Sequence, residues 1–210
     1  MKNSDRRIAH TTYILIALNI LVYGLEIKFG GSENLVTLEY LGALIPEKVL
    51  AGEWWRLIEA NFLHYNSIHL ATNMLSLFFL GRLVELSLGS KSYLTIYFFS
   101  GVGSMLTFSL LSFRLGLDNV LLVGASAAIM GLMGAILAIS LHIWLRKRYS
   151  PTAKRRLWQV ILIVLVQFIF DNLVPQVSFH SHLFGFIIGF LISSILIFYK
   201  YNFKEAEGNK

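Results

Sequence analysis

Six long apolar segments, separated by gaps of polar and basic residues, constrain this chain more than any other feature of its sequence. They run over Thr11–Leu25, Ser67–Leu86, Tyr93–Phe113, Ala125–Leu145, Leu157–Val174 and His182–Tyr199. A helix needs about 20 mostly apolar residues to cross a bilayer, and each segment is near that length. A sheet made of such continuous runs would leave backbone groups unpaired in lipid. The sequence therefore predicts an all-α, polytopic membrane bundle of six transmembrane helices.

The composition also indicates that lipid is the solvent of this chain. Of its 210 residues, 56% are hydrophobic and 14% are charged, whereas a soluble domain has about 45–50% apolar and about 25% charged residues. Six crossings with short loops fill this length, so we expect one membrane domain over residues 1–210, with a core at about residues 11–200. No small-residue cleavage site follows the first apolar run, which predicts a retained helix rather than a signal peptide.

The basic residues predict the orientation of the bundle. Fourteen of the 18 Lys and Arg residues lie in the N-terminal segment, the second gap, the fourth gap and the C-terminal tail. Cytoplasmic loops are enriched in these residues, so both termini are predicted to be cytoplasmic, which agrees with six crossings. The net charge of +6 is explained by this topology, and we expect no nucleic-acid partner. The chain has no cysteine, which excludes a disulfide framework and a thiolate nucleophile.

The gap from Glu26 to Asn66 is longer than the others and contains the amphipathic stretch EWWRLIEANFLH. Its paired Trp54 and Trp55 are typical of a membrane interface, so part of this loop is predicted to lie in the outer leaflet. The alternative is a lipid-facing surface loop with no role in chemistry.

The segment GASAAIMGLMG, residues 124 to 134, begins the fourth helix at its predicted outer end. Ser126 has small neighbours, so another backbone could approach it closely, and Met130 and Gly134 share its helical face. A serine in this position is a candidate nucleophile. Small residues also serve helix packing in membranes, and the segment by itself does not separate the two interpretations.

The segment FHSHLFGFIIG, residues 179 to 189, begins the sixth helix on the same predicted side. His182 shares a face with Gly185 and Gly189, which form a GxxxG pair suited to close helix packing. Serine needs an adjacent base, and His is the usual one because its pKa lies near neutrality. His180 is the competing candidate, and a structural His at a helix end is the alternative.

The second helix carries a third polar group within NFLHYNSIHLATNMLSLFFLG, residues 61 to 81. His69 and Asn73 are neighbours on one helical face, with His64 at the helix entry. Neutral His and Asn can donate hydrogen bonds to the oxyanion of a tetrahedral intermediate. The alternative is hydrogen bonding between helices. Ionisable and amide groups in spanning helices are costly, and three such groups at one side of the membrane together indicate a catalytic site.

These residues fall into a pattern that resembles the rhomboid intramembrane serine proteases from Tyr23 to Tyr199. The matching motifs are WWRL at 54–57, His64-x4-His69-x3-Asn73, Gly81-x3-Glu85-x3-Gly89, Tyr97 ahead of Ser100-Gly101, Gly124-Ala-Ser126-Ala, and His182-Leu-Phe-Gly185 with Gly189.

The resemblance implies roles for the matching residues. Ser126 would be the nucleophile and His182 its general base, in a dyad with no aspartate. His69, Asn73 and the backbone N–H of Ser126 would stabilise the oxyanion. Trp55 and Arg56 match a structural pair of the first loop, and Glu85 matches a buried residue that connects the loops below the site. No cofactor or metal is implied, and the partners would be the lipid bilayer and single-pass transmembrane substrates. The fifth helix, Leu157–Val174, and the loop that follows it would be the gate through which a substrate helix enters.

The chain departs from the usual rhomboid pattern at four positions. Ala127 follows the serine where Gly is usual, and Met130 stands where Tyr or Phe usually lies under the histidine ring. Ser181 replaces Ala before the histidine, and Phe184 replaces a common Gly. None of these changes removes a catalytic group, and a thioether can still pack against imidazole.

Three other functions remain as alternatives. A catalytically inactive relative would bind transmembrane clients without cutting them. A transporter or channel would need ionisable residues along a path, and the fourth and fifth helices offer few. A metalloprotease would need clustered ligands such as HExxH, a motif that does not occur in this sequence. The short loops favour a bacterial plasma membrane as the location, and the sequence leaves the oligomeric state open.

Overall fold

The computed structural model describes residues 9–117, 120–173 and 178–208. Ten α-helices lie in this part of the chain, and they run in the order α1 (His10–Lys28), α2 (Leu35–Tyr40), α3 (Pro46–Leu50), α4 (Arg56–Glu59), α5 (Ser67–Ser76), α6 (Arg82–Leu88), α7 (Ser90–Leu115), α8 (Ser126–Arg146), α9 (Pro151–Leu173) and α10 (Phe179–Gly208). The second span is formed by α5 and α6, joined by a π-helical turn at Leu77–Gly81.

Six helical segments of the described chain are long and apolar enough to cross a membrane: His10–Lys28, Ser67–Leu88, Ser90–Leu115, Ser126–Arg146, Pro151–Leu173 and Phe179–Lys200. Each of the six predicted spans is therefore confirmed, with ends that differ by a few residues. Val174, the predicted end of the fifth span, lies outside the described residues. The chain is a multi-pass integral membrane protein.

The start of α9 lies six residues before its predicted position. Hydropathy predicts a beginning at Leu157, but the helix starts at Pro151 and includes the basic residues between them. Proline is favoured in the first helical turn because its missing N–H has no intrahelical acceptor there. The hydroxyl of Ser150 accepts a hydrogen bond from the N–H of Ala153 at 3.3 Å, which caps the helix.

Three short helices occupy the long gap between the first two spans. Trp54 and Trp55 lie there with about half of their surface exposed, at 54% and 53%. Leu44 pairs with Leu122 in an isolated antiparallel bridge, with N–H···O distances of 2.9 Å in both directions. The loop is thereby joined to the residues that lead into α8.

α8 is the most buried of the six spans and α9 is the least. The closest approach is between α8 and α10, where glycines bring the two backbones into contact. A Cβ atom built on Gly185 would collide with the carbonyl oxygen of Ala127, and one built on Gly189 would collide with that of Gly131. Small residues allow this contact, which is a principal source of helix association in lipid.

Gly189→Ala tests this contact. The added methyl meets backbone atoms of Gly131 that no rotamer change can move, so we expect the free energy of unfolding to fall by about 3 kcal/mol, the upper end for overpacking. The measurement is unfolding in mixed micelles, followed by tryptophan fluorescence.

Gly24→Ala is the matched control, because a Cβ at this helical position meets nothing within 4 Å. It should leave stability unchanged or slightly raised, since alanine favours the helix. Equal stability of the two variants would contradict the assigned packing.

Candidate active site

Ser126 is the first residue of α8, directly after a turn that only glycine adopts readily. Gly124 has a φ of +121°, and its N–H donates to the carbonyl of Ala60 at 2.8 Å. The hydroxyl-bearing residue is half-buried. The N–H groups in the first turn of a helix have no intrahelical acceptor, so those near Ser126 are available as donors.

His69 and Asn73 lie against the same turn. A Cβ atom on Gly124 would be 2.7 Å from Cε1 of His69 and 3.5 Å from Nδ2 of Asn73. α5 is positioned by Asn66, whose Oδ1 accepts from the N–H of His69 at 2.9 Å. The side chain of Asn73 is buried, and within the described residues its Nδ2 has no hydrogen-bond acceptor. A buried donor without an acceptor is unusual, and this one lies beside the turn that carries Ser126.

The contact between α8 and α10 brings His182 to the same end of the bundle. His182 lies one turn before Gly185, which packs on Ala127, the residue next to Ser126. Its side chain is buried, with 7% of the residue exposed. The imidazoles of His182 and His69 are near enough to interact electrostatically. The four residues predicted to form the site therefore lie together, although they come from three separate spans.

Asp171 is a further polar residue at this site, and the sequence interpretation did not include it. Its Oδ2 lies 2.8 Å from Nδ1 of His182, and its Oδ1 accepts from Nε2 of Gln167 at 2.8 Å. The Asp171 side chain is fully buried. A signal was available in the sequence, because Asp171 is an acidic residue at the end of an apolar run, but that segment was interpreted as a possible gate for substrate.

The four departures from the usual rhomboid pattern occupy defined environments. Ala127 is buried in a hydrophobic cluster against which Phe184 packs. Met130 is buried in a different cluster, with Val164 of α9. The carbonyl of Ser181 accepts a hydrogen bond from the hydroxyl of Ser104 at 2.6 Å, which joins α10 to α7.

Arg56 has the contacts of a structural residue. Its Nε donates to Glu53 at 2.6 Å, and one terminal nitrogen donates to the carbonyls of Glu39 and Ala43 at 2.8 and 2.9 Å. The residue is 6% exposed. These hydrogen bonds hold the first loop in a compact form, while the neighbouring Trp55 remains half exposed.

Glu85 lies at the other end of the second span from His69. Its carboxylate accepts hydrogen bonds from the backbone N–H groups of Thr11 and Thr12, at 3.0 and 2.9 Å, and from the hydroxyls of Thr12 and Ser90, both at 2.8 Å. The carboxylate of Glu85 therefore caps the start of α1 and holds the junction of α6 and α7.

The environment of His64 explains why it is neutral. Its ring lies 5.2 Å from that of His69 between centroids, and its N–H donates to the carboxylate of Glu26 at 3.1 Å. Burial, with a smaller contribution from repulsion by His69, lowers the pKa of His64 to about 3. His64 therefore packs beside His69 as an uncharged ring.

The fold and this site define an integral membrane protein with serine, histidine and amide side chains gathered inside a helical bundle. The Rhomboid domain family matches residues 51–199, which is most of the chain. The chain belongs to the rhomboid family.

Similar proteins come from bacteria and plants. Rhomboid protease GluP of Bacillus subtilis (strain 168) is 35% identical over 186 residues, which cover 88% of this chain and 34% of the relative. Rhomboid protease AarA of Providencia stuartii is 32% identical over 216 residues, covering 93% and 75%. RHOMBOID-like protein 6, mitochondrial, of Arabidopsis thaliana is 38% identical over 162 residues, covering 77% and 50%. The chain thus spans about a third, three quarters and half of these relatives.

His64→Gln tests the neutral state of this histidine. The unfolded chain binds a proton near the ordinary pKa of 6.5, whereas the folded protein does so only near pH 3. The wild-type protein therefore loses stability through this group as the pH falls, by about 1 kcal/mol between pH 6.5 and 5.5. We expect this part of the pH dependence of unfolding to be absent in the variant.

The control is His10→Gln, which removes an exposed imidazole. The comparison is between the slopes of unfolding free energy against pH for the two variants and the wild-type protein. A His64→Gln slope identical to that of the wild type would show that folding does not lower the pKa of His64.

Proposed function

We propose that this protein is an intramembrane serine endopeptidase that hydrolyses peptide bonds of transmembrane-helix substrates near the outer membrane face. The observation that carries the proposal is the convergence of Ser126, His182, His69 and Asn73 at one end of the bundle. The first two supply a nucleophile and a base, and the others supply donors. Two relatives that match most of this chain are named rhomboid proteases.

In the first step, the hydroxyl of Ser126 attacks the scissile carbonyl while Nε2 of His182 takes its proton. Nδ1 of His182 is occupied by Asp171, which leaves Nε2 as the nitrogen able to act as a base. The protonated imidazole then gives its proton to the leaving amine. Water hydrolyses the acyl-enzyme by the same route, which frees the second product and restores the serine.

The oxyanion formed in each step needs donors positioned before the reaction. Nδ2 of Asn73 is buried beside Gly124 without an acceptor in the described part of the chain. This is expected of a donor whose acceptor, the oxyanion, forms only during the reaction. His69 contacts the same glycine. The backbone N–H of Ser126, at the positive end of α8, is the third donor in this assignment.

Substrate entry is assigned to α9 and the loop that follows it. α9 is the least buried span, and its exposed face carries large apolar side chains that include Leu162, Ile169 and Leu173. A single-pass substrate helix would enter beside it and unwind locally, because a helix hides its peptide bonds. Residues 174–177 of the predicted gate lie outside the described residues.

The proposed location is the plasma membrane of a bacterium, with both termini in the cytoplasm. The basic residues of the fourth gap and the tail support this orientation, and two of the similar proteins are bacterial. With this orientation, the start of α8 and the start of α10 are at the outer face.

The second candidate function is client binding without cleavage. The observation in its favour is the set of departures beside the catalytic residues, because Ala127 and Phe184 add bulk close to the α8–α10 contact. An inactive relative would retain the fold and the lipid-facing α9 surface, and substitution of Ser126 would not change its effect on clients.

Ser126→Ala and His182→Ala test the catalytic assignment. We expect each to reduce cleavage of a fluorogenic transmembrane peptide by at least about 10³-fold, because the nucleophile and its base act as a unit. The assay uses the purified protein in liposomes and covers a panel of substrate sequences.

Two substitutions serve as controls. Ser109→Ala removes a buried hydroxyl that donates to the carbonyl of Met105 in its own helix, and His180→Ala removes the competing histidine. Both should keep wild-type activity. Cleavage that survives Ser126→Ala would refute the assignment of Ser126 as the nucleophile. Loss of cleavage in His180→Ala would show that the assignment of His182 as the base is wrong.

Asn73→Ala tests the oxyanion donor. Removal of one such donor typically lowers kcat by about 10²–10³-fold with little effect on KM, because the bond forms only in the transition state. The control is Asn19→Ala, which removes a buried amide that donates to the carbonyl of Leu15 within α1. A change confined to KM would instead assign Asn73 to substrate binding.

A further inference from the structure

The carboxylate of Asp171 is buried inside a membrane-spanning helix with both oxygen atoms engaged. One accepts from Gln167 and the other lies 2.8 Å from Nδ1 of His182. A buried acid in a spanning helix is costly unless its partners compensate for the lost water. One of these partners is His182, the residue assigned as the general base, so Asp171 belongs to the hydrogen-bond network of the proposed site.

The chemistry of this contact fixes the state of the imidazole. When Asp171 is ionised, its carboxylate can only accept hydrogen bonds, and Nδ1 of His182 then carries the proton in this contact. The other nitrogen, Nε2, is then unprotonated and able to accept the proton of Ser126. When His182 becomes an imidazolium during the reaction, the adjacent negative charge stabilises it.

We propose that Asp171 is a positioning residue for His182, holding the imidazole of the serine–histidine dyad in the orientation and tautomer that the reaction needs. This inference rests on the proposed function, because it assigns a role within the same reaction. Gln167 is the residue that orients the carboxylate in turn, by occupying its second oxygen.

A purely structural role for Asp171 accounts less well for the contacts. The end of α9 is already held against α10 by the ring of Phe168, whose centroid lies 5.7 Å from that of Phe179 and 5.5 Å from that of Phe186. The backbone position of α10 is set independently by the glycine contact with α8. Neither of these two contacts involves an acidic side chain. What the aspartate contributes is a contact that orients the imidazole ring of His182.

The location of Asp171 on α9 has a consequence for substrate entry. α9 is the span assigned to the gate, and the described helix ends two residues after Asp171. A movement of this end of α9 away from α10 would separate the carboxylate from His182.

Asp171→Asn is the most informative substitution, because Gln167 determines how the new amide is oriented. Gln167 donates to Oδ1, so the amide oxygen stays on that side and the amide NH₂ faces Nδ1 of His182. A donor at this place favours the tautomer with its proton on Nε2. That tautomer cannot accept the proton of Ser126, although the shape of the side chain is unchanged.

The experiment measures phosphonylation of Ser126 by a small fluorophosphonate, together with kcat and KM for a transmembrane peptide. The serine oxygen displaces fluoride from phosphorus and His182 takes the serine proton, so labelling reports on the dyad without requiring a substrate helix to enter. For Asp171→Asn we expect both labelling rate and kcat to fall by about 10²–10⁴-fold with KM unchanged.

Two more variants and a spectroscopic measurement separate positioning from folding. Gln167→Leu keeps the aspartate and removes its support, so a smaller reduction of kcat is expected. Asn172→Ala, an exposed neighbour on α9 that bonds to the carbonyl of Phe168, should match the wild type. ¹⁵N NMR of labelled histidine should show the proton of His182 on Nδ1 in the wild type and on Nε2 in Asp171→Asn.

The outcomes distinguish this inference from the proposed function. If the wild type is neither labelled nor active while Asp171→Asn behaves identically, the proposed function fails. If the wild type is active and Asp171→Asn is labelled at the same rate, with the same tautomer, the positioning role of Asp171 is refuted and the proposed function stands. A folded Asp171→Asn protein that changes only in KM would also refute the positioning role.

Discussion

The backbone contact between α8 and α10 is the interaction on which the rest of the site depends. Helices in lipid gain little from hydrophobic burial against one another, so their association relies on close packing and hydrogen bonds. Gly185 and Gly189 let α10 approach until its backbone lies against the carbonyls of Ala127 and Gly131. Since Ser126 precedes Ala127, and His182 lies one turn before Gly185, this contact also sets the separation of Ser126 and His182. A side chain at either glycine would push the helices apart and these two residues with them.

Buried acids at opposite ends of the bundle are compensated in different ways. Glu85 accepts from backbone N–H groups and hydroxyls, which do not change their protonation state near neutral pH, and its contacts hold α1 to the second span. Asp171 is bound to an imidazole and an amide. An imidazole can change its protonation state near neutral pH, and a carboxylate beside it selects which nitrogen is free. A buried acidic side chain thus has a structural role at one end of the bundle and, in our proposal, a chemical role at the other.

Much of the architecture and of the site was predictable from the sequence, and the errors have physical reasons. Spans are recognised by apolar length because lipid requires it, so all six are confirmed. The start of α9 was misplaced because hydropathy does not detect a helix made of basic residues after a proline. The predicted site residues Ser126, His182, His69 and Asn73 do come together, although their catalytic roles remain predictions. Asp171 was missed because its relation to His182 depends on how α9 packs against α10, and no short motif encodes that packing.

The sequence by itself determined the number of spans, the chemistry available in them and the membership of a family, because these follow from composition, hydropathy and local motifs. The tertiary structure decided which polar groups meet. It brought Asn73 and His69 to the turn at Gly124, paired Asp171 with Nδ1 of His182, and packed Phe184 against the cluster that contains Ala127. These contacts join residues far apart in the chain, and their geometry is fixed by helix packing, which depends on the shapes of all the helices at once.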